Sequence, residues 1–445
     1  MEDYGILAKK LVEEATAKGA HQAEVYISKG KELTIEVSKG QVETLKNAEE
    51  HGLGIRVFVD QKMGYAYTSD FSPTALTTAV ERAIANADKT FADSFNVLPK
   101  PVLDHRELDI YDPGIEKTSV DEKIQMALQI EKAAKEYDPR VKIIESCTYQ
   151  DSQYQVTLAS SEGIVTGYHG AYCGCFAYVV AEEEGDAQTG FGLQFELKIA
   201  DLDPVKVGRE AARKAVRMLG AKNINTQKAP VVFDPYVATN FLGVLAPALS
   251  AEAVQKGKSL FAGKLGTQVC SPLISIIDDG ALPGAIMSAP FDGEGVKTGR
   301  TSLIEKGVLK SFLHNSYTAA KEGVTSTGNA VRSFKSTPEV GTTNFFIEAG
   351  SVSRDELLSG IDRGFYVTEV MGMHTANPIS GDFSVGASGL WIENGKLTKA
   401  VRGVAIAGNL MSLFQQVDCV ADDLTFFVGR GAPTIRIKEM TISGS

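Results

Sequence analysis

The chain has 445 residues, 43% of them hydrophobic and 23% charged, with 43 glycines and a formal net charge of −11. That length exceeds a single core and predicts about two to four units of ordinary globular composition. The acidic balance disfavours direct contact with nucleic-acid backbones, and no apolar run approaches the roughly 18–20 residues that a membrane span requires.

Tyr4 to Lys18 carries Ile6, Leu7, Leu11 and Val12 at helical spacing and is closed by Gly19. This opening segment is charged and amphipathic, without the apolar core and cleavage site of a secretory signal, which predicts a cytoplasmic protein. AEVYIS, ELTIEVS and GIRVFVD read as alternating strands, QKMG as a hairpin turn before YAYTS, and Ser72-Pro73 as the cap of the helix TALTTAVERAIANA. A connector begins at Pro99-Lys100-Pro101 and runs through YDPG at 111–114.

A capping box, Ser119 to Glu122, opens the next helix, EKIQMALQIEKAAKEY. Strands rich in Tyr and Phe follow between Val141 and Lys198. Asp203-Pro204 then starts VKVGREAARKAVRML, which Gly220 ends. Both units read helix, strands, helix, the order that a duplication leaves, but no residue-level repeat establishes one. From Pro230 the texture changes to one apolar helix followed by short strands between Gly turns. Hairpins are predicted in IEKGVLKSFL and in GLWIENGKLTKAV, where Asn394-Gly395 suits a type I′ turn. The predicted class is α+β, with an α/β domain over residues 1–105, a helix–strands–helix domain over 106–222 and a strand-rich domain over 223–445.

Searching for chemistry by residue type yields little. Five cysteines, Cys147, Cys173, Cys175, Cys270 and Cys419, are scattered and odd in number, which predicts reduced thiols in place of a disulfide framework. Cys173 and Cys175 share a strand face but lack a His or acidic partner at ligand spacing, so they read as small buried residues. The histidines, His21, His51, His105, His169, His314 and His374, lie far apart, and HExxH is absent. Asp278, Asp279, Asp292 and Glu294 miss the spacing of an EF-hand and read as loop carboxylates. Lys256-Gly257-Lys258-Ser259 resembles the end of a phosphate loop without its first Gly, and GASGL at 386–390 lacks the last Gly of a nucleophile elbow. Residue types alone give a protein without a recognisable catalytic centre.

The order of longer motifs is more specific. SLFAGKLGTQV at 259–269 precedes IDDG at 277–280, FDGEGVKTGRTSLIEKGVLKSFL at 291–313, STGNAVRS at 326–333 and TNFFIEAG at 343–350. GDFSVGASGLWIENGKL at 381–397, AGNL at 407–410 and GRGAPTIRI at 429–437 complete the series, with a looser match in HGLGIRVFVDQKMGYAYTSD at 51–70. This series resembles the TldD/PmbA family, also called TldD/TldE and once described as modulators of DNA gyrase.

In the TldD branch an HExxxH zinc-peptidase motif stands just before the S-F-x-G-x-x-G stretch, and a Cys near the C-terminus supplies a further ligand. Counting back from Lys256-Gly257-Lys258-Ser259-Leu260-Phe261 puts the first His on Leu242, the Glu on Gly243 and the second His on Pro247. LGVLAP offers zinc no side-chain ligand and no general base for a bound water, and the segment from Asp422-Asp423 to Gly429 carries no Cys. The family's His spacing spans about 140° of an α-helix and so requires a distorted helix there.

The resemblance therefore implies the PmbA or TldE branch, a subunit without metal, cofactor or catalytic residues of its own. It implies a barrel-like dimer enclosing a cavity, formed with a zinc-bearing TldD-type homologue or with a second copy of this chain, that degrades or processes unfolded peptides. The metal-free subunit would bind an extended peptide, which strand edges can do through main-chain hydrogen bonds. Arg300, Asn329, Arg332 and His374 fall in or beside the motifs and are the candidate peptide-binding residues, with structural ion pairs and turns as the competing roles. The alternatives are a regulator that binds a protein such as DNA gyrase and a homodimeric peptide binder.

Overall fold

The computed structural model describes residues 4–101 and 107–444; the boundary expected at 105/106 and His105 lie outside them. Helix α1 (Tyr4–Ala17) buries Ala8, Leu11, Val12 and Ala15 and is followed by Gly19 at a φ of 108°, which glycine alone adopts freely. Next come β1 (Gln22–Ser38), β2 (Gln41–Val59), β3 (Lys62–Thr68) and α2 (Pro73–Ala87), the last capped by Ser72. After the short helix α3 (Pro113–Lys117) the order repeats. Helix α4 (Val120–Tyr137) starts from the Ser119–Glu122 capping box, then β4 (Val141–Ser160), β5 (Val165–Glu183), β6 (Asp186–Glu196) and α5 (Pro204–Arg217), capped by Asp203.

The strands form one antiparallel sheet in the order β3-β2-β1-β4-β5-β6. β1 pairs with β4 from Glu24 opposite Ser160 to Val37 opposite Cys147, so the two halves meet through their first strands. Close helix–sheet packing repeats as well. Gly64 of β3 lies against the backbone of α2 at Ala83 and Ala87, and Gly190 of β6 lies against α5 at Ala211 and Ala215. Each half thus seats its second helix on a glycine of its third strand.

Two expectations from the sequence change here. AEVYIS and ELTIEVS belong to one 17-residue strand that runs through Gly30, and GIRVFVD is the buried end of the 19-residue β2. Gln41–His51, the first part of β2, is almost wholly exposed. Alternation is readable only where one face is buried, so such a segment carries no signal. The turn into β3 falls on Asp60-Gln61, both at positive φ, just ahead of the expected QKMG.

The remaining chain is strand-rich. It runs β7 (Gln227–Phe233), α6 (Pro235–Leu245), a 3₁₀ turn (Ala246–Leu249) and α7 (Ala251–Gln255). Then come β8 (Ile276–Asp279), β9 (Arg300–Glu305), β10 (Val308–Leu309), β11 (Ala330–Val331), β12 (Glu339–Val340) and β13 (Phe345–Ile347). The last strands are β14 (Arg363–Met371), β15 (Asp382–Glu393), β16 (Lys396–Asn409), β17 (Val417–Val420), β18 (Thr425–Phe427), β19 (Arg430–Ala432) and β20 (Ile435–Ser443). One sheet has the order β10-β9-β8-β13-β19-β18, and β11 with β12 forms a separate ribbon. The other has the order β16-β15-β14-β7-β20-β17, and an added β16–β20 pairing closes it into a barrel within the single chain.

The β15–β16 hairpin turns at Asn394-Gly395, whose φ values of 49° and 73° are those of the predicted type I′ turn. The core of this part gathers Trp391, Phe365 and the barrel's Val and Ile residues around α6. There Phe233 stacks on Phe241 at 4.6 Å, and Phe383 meets Phe241 edge-on at 5.0 Å. Among the described residues no helix is long and apolar enough to cross a membrane.

Candidate functional site

The segment to which the resemblance assigns the TldD-branch metal motif is α6 and the turn after it. Asp234 caps α6 by accepting from Tyr236 N at 3.1 Å and is itself held by the Tyr366 hydroxyl at 2.9 Å. The α-helix stops at Leu245 and tightens into the 3₁₀ turn that contains Pro247. Proline therefore costs no α-helical hydrogen bond where it stands. Leu242 is 0% exposed and points into the main core. Where the resemblance puts a first ligand, the chain thus carries a core side chain, a burial that contributes about 1.5–3 kcal/mol.

Gly243 and Pro247 face the other way and line a cleft of about 500 Å³ with Ser250, Glu252, Lys256 and Arg430. Arg430 opens β19 and lays its guanidinium over Gly243. A methyl group at Gly243 would lie 2.5 Å from Arg430 Nη1 and 3.0 Å from its Cζ. Where the motif would put a glutamate, the chain has an empty Cα and a cation resting on it. The side chains present do not fit zinc. The lining offers one carboxylate, Glu252, and it is ion-paired with Lys256. Among the described residues no group of three or more His, Cys, Asp or Glu side chains is disposed to hold a metal. Cys419 lies on β17 beside Arg436 of β20, away from the cleft lining, with its thiol pushed up by burial.

The sequence motifs converge behind one wall of this cleft. Asp278 of β8 accepts from Thr343 N, Thr343 Oγ1 and Asn329 Nδ2, all at 2.7 Å, and burial raises its carboxyl above the ordinary range. Asn329 also donates to Gly341 O at 3.1 Å and accepts from Gly341 N at 2.9 Å. Gly341 lines the cleft. IDDG, STGNAVRS and TNFFIEAG therefore form a polar knot that fixes the segment after β12, and Asn329 acts from behind the wall.

The other candidate residues lie elsewhere. Arg332 is buried, with its side chain 0% exposed and ion-paired to Glu24 of β1. It also borders a second cleft, of about 650 Å³, with Tyr26, Tyr154 and Tyr168. Arg300 is exposed and paired with Glu348 at 2.5 Å. His374 is exposed in the 3₁₀ turn Met373–Thr375, shortly before Pro378 and Ile379, which border the Arg430 cleft. The four do not converge on one cavity.

Glu24 and Arg332 belong to a buried network between the N-terminal sheet and the strand-rich region. Arg56 of β2 donates through Nη2 to Glu24 and to Glu294, both at 3.0 Å, and Glu294 accepts from Ser316 N at 2.8 Å. Burial alone would lift the Glu24 carboxyl, but Arg56 and Arg332 outweigh it and hold it below the usual range. Asp292 accepts from the backbone N–H groups of Glu294, Val296 and Ala330 at 2.9 Å. Burial, and then the charge of Glu294, still push it up to about 7.

Within GRGAPTIRI no local pattern sets Arg430 apart. The signal that could have found it is a glycine where the resemblance puts a glutamate, which leaves room for a side chain arriving from elsewhere.

Comparison with known proteins places these features in context. The domain patterns of the PmbA/TldA metallopeptidases match in order: domain 1 over 23–87, the central domain over 113–219 and the C-terminal domain over 226–444. The chain is 31% identical to the metalloprotease PmbA of Escherichia coli O157:H7, over 98% of this chain and 97% of that protein. A solved structure from Thermotoga maritima, described as a supposed modulator of a DNA gyrase, superposes with a TM-score of 0.92 at 30% identity, covering 99% of this chain and 100% of that one. TldE from Thermococcus kodakarensis superposes with a TM-score of 0.91 at 25% identity, over 98% of this chain and 99% of that one.

Proposed function

Because the chain belongs to the PmbA/TldD metallopeptidase family, we propose that it is the TldE-type, non-catalytic subunit of a cytoplasmic TldD/TldE-type peptidase. In this reading it holds an extended, unfolded peptide while a TldD-type homologue supplies zinc and the general base. The observation that carries it is the trio at the motif positions: Leu242 buried in the core, Gly243 covered by Arg430, and Pro247 in a 3₁₀ turn. None can bind zinc or take a proton from a bound water. Supporting it, the polar knot around Asp278 and Asn329 ties the cleft wall at Gly341 in place by hydrogen bonds, which suits alignment of a ligand without any reacting group.

The test is reconstitution. The purified chain is expected to hold no stoichiometric zinc and to leave an unfolded test polypeptide intact. Cleavage is expected to appear when a homologue bearing HExxxH is added, together with a stable complex of the two. One tightly bound, activity-supporting zinc per isolated chain would overturn the reading.

A further inference from the structure

We propose that the cleft over Gly243 is a carboxylate-binding subsite for the peptide, with Arg430 as its anchor; this rests on the peptide-binding reading above. The chain as a whole is acidic, yet this cleft is lined by Lys256, Lys258 and Arg430 against the single acid Glu252. Glu252 is already paired with Lys256. Lys258 and Arg430 make no side-chain hydrogen bond or ion pair among the described residues, so two cations face the cleft without a counter-charge.

Three features narrow the ligand. A guanidinium presents a flat pair of N–H donors that matches a carboxylate edge to edge. Most of the remaining lining is apolar, with Pro247, Leu313, Val340 and Ile379 beside the hydroxyl-bearing Ser250 and Thr342, and so accepts a hydrophobic side chain next to the charge. The cleft also borders β12, which among the described residues pairs only with β11, and leaves a strand edge for an extended backbone. A charged end, an adjacent apolar side chain and a main-chain ladder together describe a peptide that carries a carboxylate. The position to which the resemblance assigns a glutamate is covered here by a protein cation, and the site's preference falls on the anionic part of the substrate.

The experiment uses the full chain and a short Ala/Ser/Leu peptide without Asp or Glu, carrying an uncharged fluorophore at its N-terminus. Binding of its free-acid and C-terminal amide forms is followed by fluorescence anisotropy. The wild-type chain is expected to bind the acid at least tenfold more tightly than the amide. Arg430→Ala should bind both forms equally, at the level of the wild-type chain with the amide. Gly243→Ala places a methyl group against the guanidinium while adding a better helix former to α6, and should lose part of the preference with the fold intact.

An amide carrying one internal Glu separates the sources. Recovery of acid-level binding assigns the site to an acidic side chain, and amide-level binding assigns it to the chain terminus; either outcome keeps a carboxylate site. Equal binding of acid and amide by the wild-type chain, or a preference that survives Arg430→Ala, overturns the inference while leaving the peptide-binding reading in place. Binding of neither form overturns both.

Discussion

Replacing Glu24 by Ala is expected to lower the free energy of unfolding by about 3–5 kcal/mol, because it strands the buried Arg332 without a counter-charge and leaves Arg56 with Glu294 alone. Glu24 is 0% exposed and lies between Arg56 and Arg332, and the Arg332 side chain is equally inaccessible. In total stability that loss is a large share, since domains rarely exceed about 5–15 kcal/mol. Removing charges in matched pairs should do less harm. Glu24→Leu combined with Arg332→Met takes out one ion of each sign and fills the space with apolar groups, and it should recover part of the single-mutant loss. Urea unfolding of Glu24→Leu, Arg332→Met and the double gives the coupling directly. A loss below about 1 kcal/mol for Glu24→Ala would mean that water reaches the network and that the charges are not stranded.

The second large effect concerns two glycines. A methyl group at Gly64 would sit 1.9 Å from the Ala83 carbonyl oxygen, and one at Gly190 would sit 2.3 Å from that of Ala211 and 2.4 Å from Ala215 N. These are backbone atoms inside helices and cannot turn aside. Gly64→Ala and Gly190→Ala are each expected to cost about 2–3 kcal/mol by forcing a helix away from the sheet. At an unobstructed strand position, alanine normally gains about 0.5–1 kcal/mol over glycine. Gly30→Ala in β1 is the control, since its nearest neighbour, Gln153 O, is 3.9 Å away. Thermal unfolding of the three variants checks the contrast, and equal midpoints would remove the argument from close packing.

Local chemistry made much of this molecule readable. Ser72, Ser119 and Asp203 cap helices where side chain and position predict it, and Asn394-Gly395 makes the turn its dipeptide prefers. These signals act over a few residues, so sequence displays them directly. The exposed arm Gln41–His51 was unreadable because no buried face imposes alternation on it.

The site shows the same division. That Leu242, Gly243 and Pro247 cannot ligate zinc follows from residue type. That a guanidinium lies on Gly243 follows from the packing of β19 against α6, which no local pattern announces. Arg332 stood out within STGNAVRS, but its partner Glu24 lies 308 residues away, so its role became visible only in three dimensions.

The mirror order of the N-terminal sheet has a consequence for how the chain reaches its fold. At the outer seams pairing is local: Ser38 meets Gln41, and Val59 meets Lys62. At the centre Glu24 must find Ser160, and closing so long a loop costs more entropy and slows the search. Each half is therefore expected to assemble as its own meander, with the middle of the sheet zipping last. Pulse-labelled amide exchange during refolding should protect β2–β3 and β5–β6 before the β1 amides that face β4. Protection arriving everywhere at once would mean that the halves, however alike in design, do not fold as separate units.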